Sequence, residues 1–183
     1  MKLKYIATIN RHSLPENTDQ DFSFRYIDIS SVSSDGHVTV PTETIRFADA
    51  PSRARRLAPP ESTIVSTVRT YLRAIARVPR TEDPLVFSTG FATLEARGQL
   101  DPRFLSYACR SEPFIASVMS RSVGVSYPAI NASDLGNIDI PLPDLDEQRR
   151  IADYLDAETA RLDRVVAARQ RQLEALSERI LTT

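Results

Sequence analysis

The C-terminal stretch of the chain, from Pro141 onward, most constrains the fold. Pro141 and Pro143 end whatever precedes them, and neither Pro nor Gly occurs from Asp144 to Ile180. Leucine, alanine, arginine and glutamate dominate this stretch, and all four favour helix. Asp144 is a suitable N-cap, and Glu147 three residues later completes a capping-box pattern. The sequence therefore predicts a helix about 55 Å long, which is too long for one small core to cover.

The apolar residues of this helix repeat at heptad spacing, with a and d positions that form one seam. The seam consists of Leu155, Leu162, Val166, Leu173, Leu176 and Ile180, with Ala152 and Thr159 as smaller members. Arg169 interrupts it at a d position, where a buried unpaired charge would be costly, so we expect Arg169 to be paired or to mark where another partner joins. A narrow seam on a terminal helix favours a helical partner, from a second copy or another subunit. The alternative is an amphipathic helix that folds back on its own domain.

Composition indicates one sizeable core in addition to this helix. The chain has 183 residues with 42% hydrophobic content and a net charge of −1, which is no global signature of nucleic-acid binding. No run approaches the roughly 18 apolar residues of a membrane span. The start, MKLKYIATIN, is too short and too polar for a secretory signal. We therefore expect a cytoplasmic protein without a membrane partner, in which the single Cys109 is a buried thiol.

Residues 1–143 differ from the tail, with scattered Pro, Ser and Thr and only short apolar runs. Runs rich in β-branched and aromatic residues predict strands at 25–29, 62–68, 85–88 and 90–94. Segments with an acidic residue followed by proline predict short helices at 102–109 and 113–119. The run 134–140 is interpreted as a last strand. The predicted fold class is mixed α+β: a largely β domain at 1–143, then a long coiled-coil helix at 144–183.

Arginine is distributed unevenly along this domain. Seven arginines lie from Arg53 to Arg80, against one acid, Glu61, so the local excess is six positive charges. Arginine suits phosphates and guanine edges because its planar fork donates in pairs, and hydroxyl groups add neutral donors to phosphate oxygens. The pattern favours a nucleic-acid contact; the alternative is a solvated basic face.

Catalytic motifs are absent from the sequence. It has no Gly-rich phosphate loop, only five glycines, and no lysine after Lys4. His12 and His37 have no cysteine cluster with which to form a metal site. The acidic pair Asp146 and Glu147 is explained by the helix dipole. These observations favour a binding module without metal or cofactor over an enzyme.

Several runs together resemble the specificity subunits of type I restriction–modification systems. The runs are 64–73 (IVSTVRTYLR), 87–91 (FSTGF), 123–131 (VGVSYPAIN), 134–138 (DLGNI), 140–143 (IPLP) and 147–156 (EQRRIADYLD). The resemblance covers nearly the whole chain. It implies a target recognition domain that reads half of a split double-stranded DNA site, and a spacer helix that pairs antiparallel with another. It also implies partner modification (methyltransferase) subunits that supply S-adenosylmethionine and the active site, and restriction and motor subunits that join them.

The chain departs from the family pattern in two ways. Members usually have two recognition domains and two helices, whereas this chain has one of each, and the short aromatic lead-in is missing. We therefore predict a half subunit or a fragment. Two copies would pair through the seam and read a palindrome with a non-specific gap, because identical domains read identical half-sites.

The candidate DNA-binding residues are chosen for their chemistry and form three groups. They are a flexible basic loop of Arg53, Arg55 and Arg56, a central segment of Ser66, Thr67, Arg69, Tyr71 and Arg73, and a second rim of Arg121, Ser122, Ser126 and Tyr127. Two other functions remain open. One is an assembly or anti-restriction protein that uses the helix without reading DNA. The other is an enzyme fused to a recognition domain, which the missing motifs disfavour.

Overall fold

The computed structural model describes the backbone of residues 1–181 and the side chains of residues 1–174 and 176. The strands of this part lie at Ala7–Ile9 (β1), His12–Ser13 (β2), Ser23–Ile27 (β3), Ile45–Arg46 (β4), Ala54–Leu57 (β5), Thr63–Ser66 (β6), Ile75–Arg77 (β7), Leu85–Ser88 (β8) and Phe91–Ala96 (β9). The α-helices lie at Leu3–Ile6 (α1), Pro102–Arg110 (α2), Glu112–Arg121 (α3), Ala132–Gly136 (α4) and Leu145–Leu181 (α5). This content confirms a mixed α and β fold with a long C-terminal helix.

The strands form two sheets joined by an apolar core. The first sheet has the order β1-β9-β6-β7 and is antiparallel, and the second has the order β2-β5-β8-β3-β4, in which β3 and β8 run parallel. Ile64 and Phe91 of the first sheet share a buried cluster with Ile27 and Phe87 of the second. The two phenylalanine rings meet edge to face, with centroids 6.3 Å apart. This cluster buries one face of each sheet.

The helices cover the other face of the first sheet. Val65 and Leu94 from that face share a core with Phe104 and Cys109 of α2 and with Phe114 of α3. Asp101 caps α2 by accepting hydrogen bonds from two backbone N–H groups of its first turn, as the acid-and-proline pattern predicts. Burial raises the pKa of the Cys109 thiol, so this cysteine is an unreactive member of the core.

The predicted strand at 134–140 is wrong in its first half. Asn131 accepts a hydrogen bond from the backbone N–H of Asp134 at 2.8 Å and so caps α4. The chain becomes extended only after this helix, where the carbonyl of Ile138 accepts from the N–H of Leu3 at 2.9 Å. A side-chain cap thus decides the local structure over the alternation of apolar residues.

Helix α5 begins where the proline stop predicts. The Asp144 carboxylate accepts from the N–H of Glu147 at 2.8 Å, and the Glu147 carboxylate itself pairs with Arg150. Among the described residues, no helix combines the length and apolar character needed to cross a membrane.

The first turns of α5 are fixed to the domain by a buried amide. Gln148 is only 1% exposed. Its Nε2 donates to the carbonyls of Gln99 at 3.0 Å and Pro143 at 2.8 Å, and its Oε1 accepts from the N–H of Asp101 at 2.9 Å. Ala152, one turn later, is fully buried. This part of the helix therefore does fold back on its own domain, as the alternative interpretation of the sequence proposes.

A charged cluster continues the same attachment along α2 and α5. Arg103 donates to Asp153 at 2.6 Å and to Asp156 at 3.1 Å, and the hydroxyl of Tyr107 donates to Asp156 at 2.7 Å. The hydrogen bond to Asp153 is the main cause that raises the pKa of Arg103. We call the contacts of Gln148, Ala152, Asp153 and Asp156 with the domain the helix root.

Removing the buried amide should loosen the helix root. Gln148→Ala is expected to lower the free energy of unfolding by about 2–4 kcal/mol, because one N–H and two carbonyls lose their partner where water does not replace it. Urea denaturation followed by circular dichroism measures this loss. Gln170→Ala, an exposed position on the same helix, should change stability by less than about 0.5 kcal/mol. Equal stability of the two variants would show that the amide does not hold the helix.

Candidate nucleic-acid interface

The central segment predicted from the sequence forms a tight turn at the end of β6. Thr70–Leu72 is a 3₁₀ turn, and the residues on both sides, Arg69 and Arg73, have left-handed backbone with φ of 50° and 54°. The hydroxyl of buried Ser66 donates to the carbonyl of Val68 at 2.5 Å. That of Thr67 donates to the carbonyl of Gly90 at 2.9 Å. These two hydroxyl groups shape the turn, while Arg69 and Tyr71 project from it into solvent.

The second rim lies directly beside this turn. Val68 and Ala129 form an antiparallel bridge, and the N–H of Ile130 donates to the carbonyl of Thr67 at 2.9 Å. The hydroxyl groups of Thr70 and Ser122 lie 3.0 Å apart. The structure therefore brings together two predicted segments that are more than 40 residues apart in the sequence.

A cation–π contact ties the two segments at the surface. The guanidinium of Arg69 lies over the ring of Tyr127, 5.0 Å from its centroid. Tyr127 is 66% exposed, so the pair is open to a ligand. A guanidinium held over an aromatic face keeps its N–H donors available at the ring's edge, which suits a phosphate or a base edge.

The predicted flexible basic loop of Arg53, Arg55 and Arg56 is not a flexible loop in the structure. Arg55 and Arg56 lie within β5, where pairing with β8 fixes the backbone and draws both side chains partly into the fold. Arg55 stacks over Phe47 at 4.5 Å, and the Nε of Arg56 is buried. Only Arg53 of this group is exposed, and its carbonyl accepts from the N–H of Thr89 at 2.8 Å. That contact places Arg53 near the turn that leads to Gly90.

Acidic partners neutralise part of the arginine cluster. Arg73 pairs with Glu112 at 2.5 Å, while Arg77 and Arg80 lie 3.6 and 3.7 Å from the carboxylate of Glu61. Within the part of the chain that the structure describes, no ion pair with an acid is found for Arg53, Arg69 or Arg121. Among the seven clustered arginines, Arg53 and Arg69 are therefore the exposed ones for which the described residues provide no acidic partner, and Arg121 of the second rim is a third such arginine. We call the exposed set of Arg53, Arg69, Tyr71, Arg121 and Tyr127 the Arg69 surface.

Sequence reasoning missed two apolar residues that stand beside this surface. Val123 is 80% exposed and Val125 is fully exposed. They lie in a turn closed by two hydrogen bonds between Val123 and Ala129, of 2.8 and 2.9 Å. Gly124 in this turn has a φ of +113°, which L side chains rarely adopt. The valine–glycine–valine run is the sequence signal for these exposed residues, because its glycine favours a turn in which the two valines face solvent.

The predicted seam divides into a docked part and an exposed part. Ala152 is buried against the domain, and the hydroxyl of Thr159 donates back to the carbonyl of Leu155 at 2.7 Å. From Leu162, which is 60% exposed, the seam continues in solvent through Val166, Leu173 and Leu176. The side chain of Ile180 lies outside the described residues. Pairing of this exposed seam with another helix stays a prediction.

Arg169 does not carry a buried charge in the single chain. Its side chain is exposed and donates to the Oε1 of Gln172 at 3.0 Å. The cost expected for a charge at a d position therefore arises only where a partner helix covers the seam.

The left-handed backbone at Arg69 allows a separate test of strain. Arg69→Gly and Arg69→Ala both remove the guanidinium over Tyr127, but only glycine relieves a left-handed conformation. We expect the glycine variant to be more stable than the alanine variant by about 1 kcal/mol, measured by thermal or urea unfolding. Equal stabilities would mean that the turn relaxes without cost. A lower stability of the alanine variant would show that the backbone at position 69 is strained in the folded chain.

Comparison with known proteins agrees with this architecture. The family model "Type I restriction modification DNA specificity domain" matches residues 1–175. No curated protein matches the chain. Among solved structures, the HsdS subunit from Thermoanaerobacter tengcongensis is 34% identical, with a TM-score of 0.77 over 90% of this chain and 43% of that chain.

Two further solved structures are similar to this chain. A chain from a study of complex assembly and conformational transition of the type I R-M system is 33% identical, with a TM-score of 0.79 over 93% of this chain and 44% of that one. The type I S subunit from M. genitalium is 14% identical and shares the fold, with a TM-score of 0.58 over 91% and 40% of the two chains. The chain spans less than half the length of these solved chains. On the family match, the chain belongs to the type I restriction–modification DNA specificity domains.

Proposed function

We propose that this chain is the non-catalytic DNA-reading subunit of a type I restriction–modification complex. The observation that carries the proposal is the Arg69 surface, where cations without acidic partners meet exposed tyrosines on a rigid turn. Neither segment that builds this turn and its neighbour, 62–81 and 113–133, contains an acid. Such a surface suits the phosphates of a duplex, and its planar donors suit base edges.

The chemistry of methylation and cleavage would belong to partner subunits. Within the described residues there is no cluster of His, Cys, Asp and Glu that could hold a metal ion, and the sequence offers no catalytic motif. Modification subunits would bring S-adenosylmethionine and the methylating site, and restriction and motor subunits would join them in the cytoplasm. The match to a structure of an assembling type I system supports this choice of partners.

The exposed seam supports pairing with a second copy of the chain. A helix from Leu162 to Leu181 measures about 30 Å, close to the roughly 34–36 Å of one DNA turn. Two such helices side by side and antiparallel would hold two identical domains at the two ends of a common spacer. The site read by the pair would be a palindrome with a non-specific gap.

Mapping of methylated sites tests this function directly. In cells that carry the chain with modification subunits, we expect methylation at a gapped palindrome, and none in cells that lack the chain. A two-part site with unlike halves would exclude the symmetric pair. An assembled complex that does not bind DNA would instead favour an assembly or anti-restriction protein, which needs the helix but not the Arg69 surface.

Substitution in the exposed seam tests the pairing. Leu162→Glu places a charge at a d position and should raise the dissociation constant of the dimer by about tenfold or more, because the carboxylate would be buried without a partner. Sedimentation equilibrium of the chain with modification subunits present measures the change. Arg171→Gln alters the net charge equally at an exposed position outside the seam and should leave pairing unchanged. A wild-type chain that stays monomeric at micromolar concentration would contradict the model of two copies.

A further inference from the structure

The turn between Val123 and Ala129 is an exposed tip that presents two valines to solvent. Its base is closed by paired backbone hydrogen bonds, and its far end presents the fully exposed Val125. We call residues 123–127 the valine tip. A fully exposed valine does not contribute to the buried core, so the fold does not require an apolar residue at position 125.

The valine tip is narrow and backed by rigid structure. At its base, the bridge between Val68 and Ala129 and the hydrogen bond from Ile130 to Thr67 fasten it to the end of β6. A Cβ added to Gly124 would lie 3.0 Å from the carbonyl oxygen of Tyr127, so the backbone within the tip is tightly folded. A narrow projection of this kind is better suited to enter a recess than to pack against the flat face of another protein.

The charges around the tip indicate what kind of recess it would enter. Arg69 stands over Tyr127 on one side of the turn, and Arg121 ends α3 just before it. No acid occurs between Glu112 and Asp134 in the sequence, and Glu112 is already paired with Arg73. An apolar projection between cations fits a DNA groove, where bases present apolar edges between two rows of phosphates.

We propose that the valine tip enters a groove of the DNA, with Val125 in apolar contact with base or sugar edges and Arg69 and Arg121 on the flanking phosphates. This inference rests on the proposed DNA-reading function and adds to it a contact that is not electrostatic. A protein partner for the same tip is the competing possibility. It would need an acidic, much larger complementary face, since stable protein interfaces bury roughly 800 Å² on each partner.

The test uses the full chain assembled with modification subunits and a duplex that contains the mapped methylation site. Val125→Thr keeps the shape of the side chain but replaces a methyl group with a hydroxyl, and should weaken binding about three- to tenfold without changing the salt dependence. Val125→Asp should weaken binding more than about tenfold through repulsion of phosphates. Arg69→Ala, by contrast, should reduce the slope of log affinity against log salt by about one.

Asn17→Asp is the matched control for the added charge. Asn17 is exposed in the loop between β2 and β3, and its change to aspartate alters the net charge as Val125→Asp does. We expect it to bind DNA within about twofold of wild type, because the charge lies outside the contact. Thermal unfolding of the Val125 and Asn17 variants should coincide with that of wild type, since both of these side chains are exposed.

Three results would overturn the inference. Wild-type affinity in both Val125 variants would show that the tip stays outside the groove. Loss of assembly with modification subunits in Val125→Asp, before DNA is added, would assign the tip to a protein partner. A wild-type complex that binds no duplex would remove the DNA-reading function together with the inference, whereas the first two results leave that function in place.

Discussion

The buried amide of Gln148 is the contact on which the rest of the arrangement depends. It joins the start of α5 to the backbone of Gln99, Asp101 and Pro143 at once, so the helix cannot turn about its axis without breaking several buried hydrogen bonds. The carboxylates of Asp153 and Asp156 extend the same hold along α2. The direction of the helix and the face it presents are therefore properties of the folded domain.

The first sheet transmits this fixed geometry to the candidate interface. Arg77 lies opposite Thr63 at one end of β6, where it pairs with Glu61 and with Asp156 of α5. The Arg69 surface begins after Ser66, at the other end of the same strand. Three steps of a strand separate the two ends by about 10 Å. The tight turn at Arg69 is in turn fastened by the hydroxyl groups of Ser66 and Thr67. The first sheet thus connects α5 with the surface proposed to read DNA.

Features with a local cause could be predicted from the sequence, and features decided by distant contacts could not. Asp144 and Asp101 cap their helices within three residues, so both helix starts were correct. The strand prediction at 134–140 is wrong in its first half because a single Asn131 cap starts a helix there and outweighs the alternation that suggests a strand. Arg55 and Arg56 looked like a loop because pairing with a distant strand is invisible in a basic run. The pairing of Arg73 with Glu112 and the exposure of Val125 depend on the tertiary fold in the same way.

The heptad seam links the helix root to the proposed pairing. Ala152 and Thr159 occupy the same series of positions as Val166 and Leu173, so one face of α5 first packs on its own domain and then continues in solvent. A partner helix on the exposed part would take the place that α2 has on the docked part. Arg169 lies in this exposed part, where its charge costs little until it is covered. Among the possible registers of two paired helices, those that bring an acceptor to Arg169 would be favoured over those that bury it against apolar side chains. The arginine would thereby weaken the pair slightly and select its register, and through the rigid root that register would set the separation of the two reading surfaces.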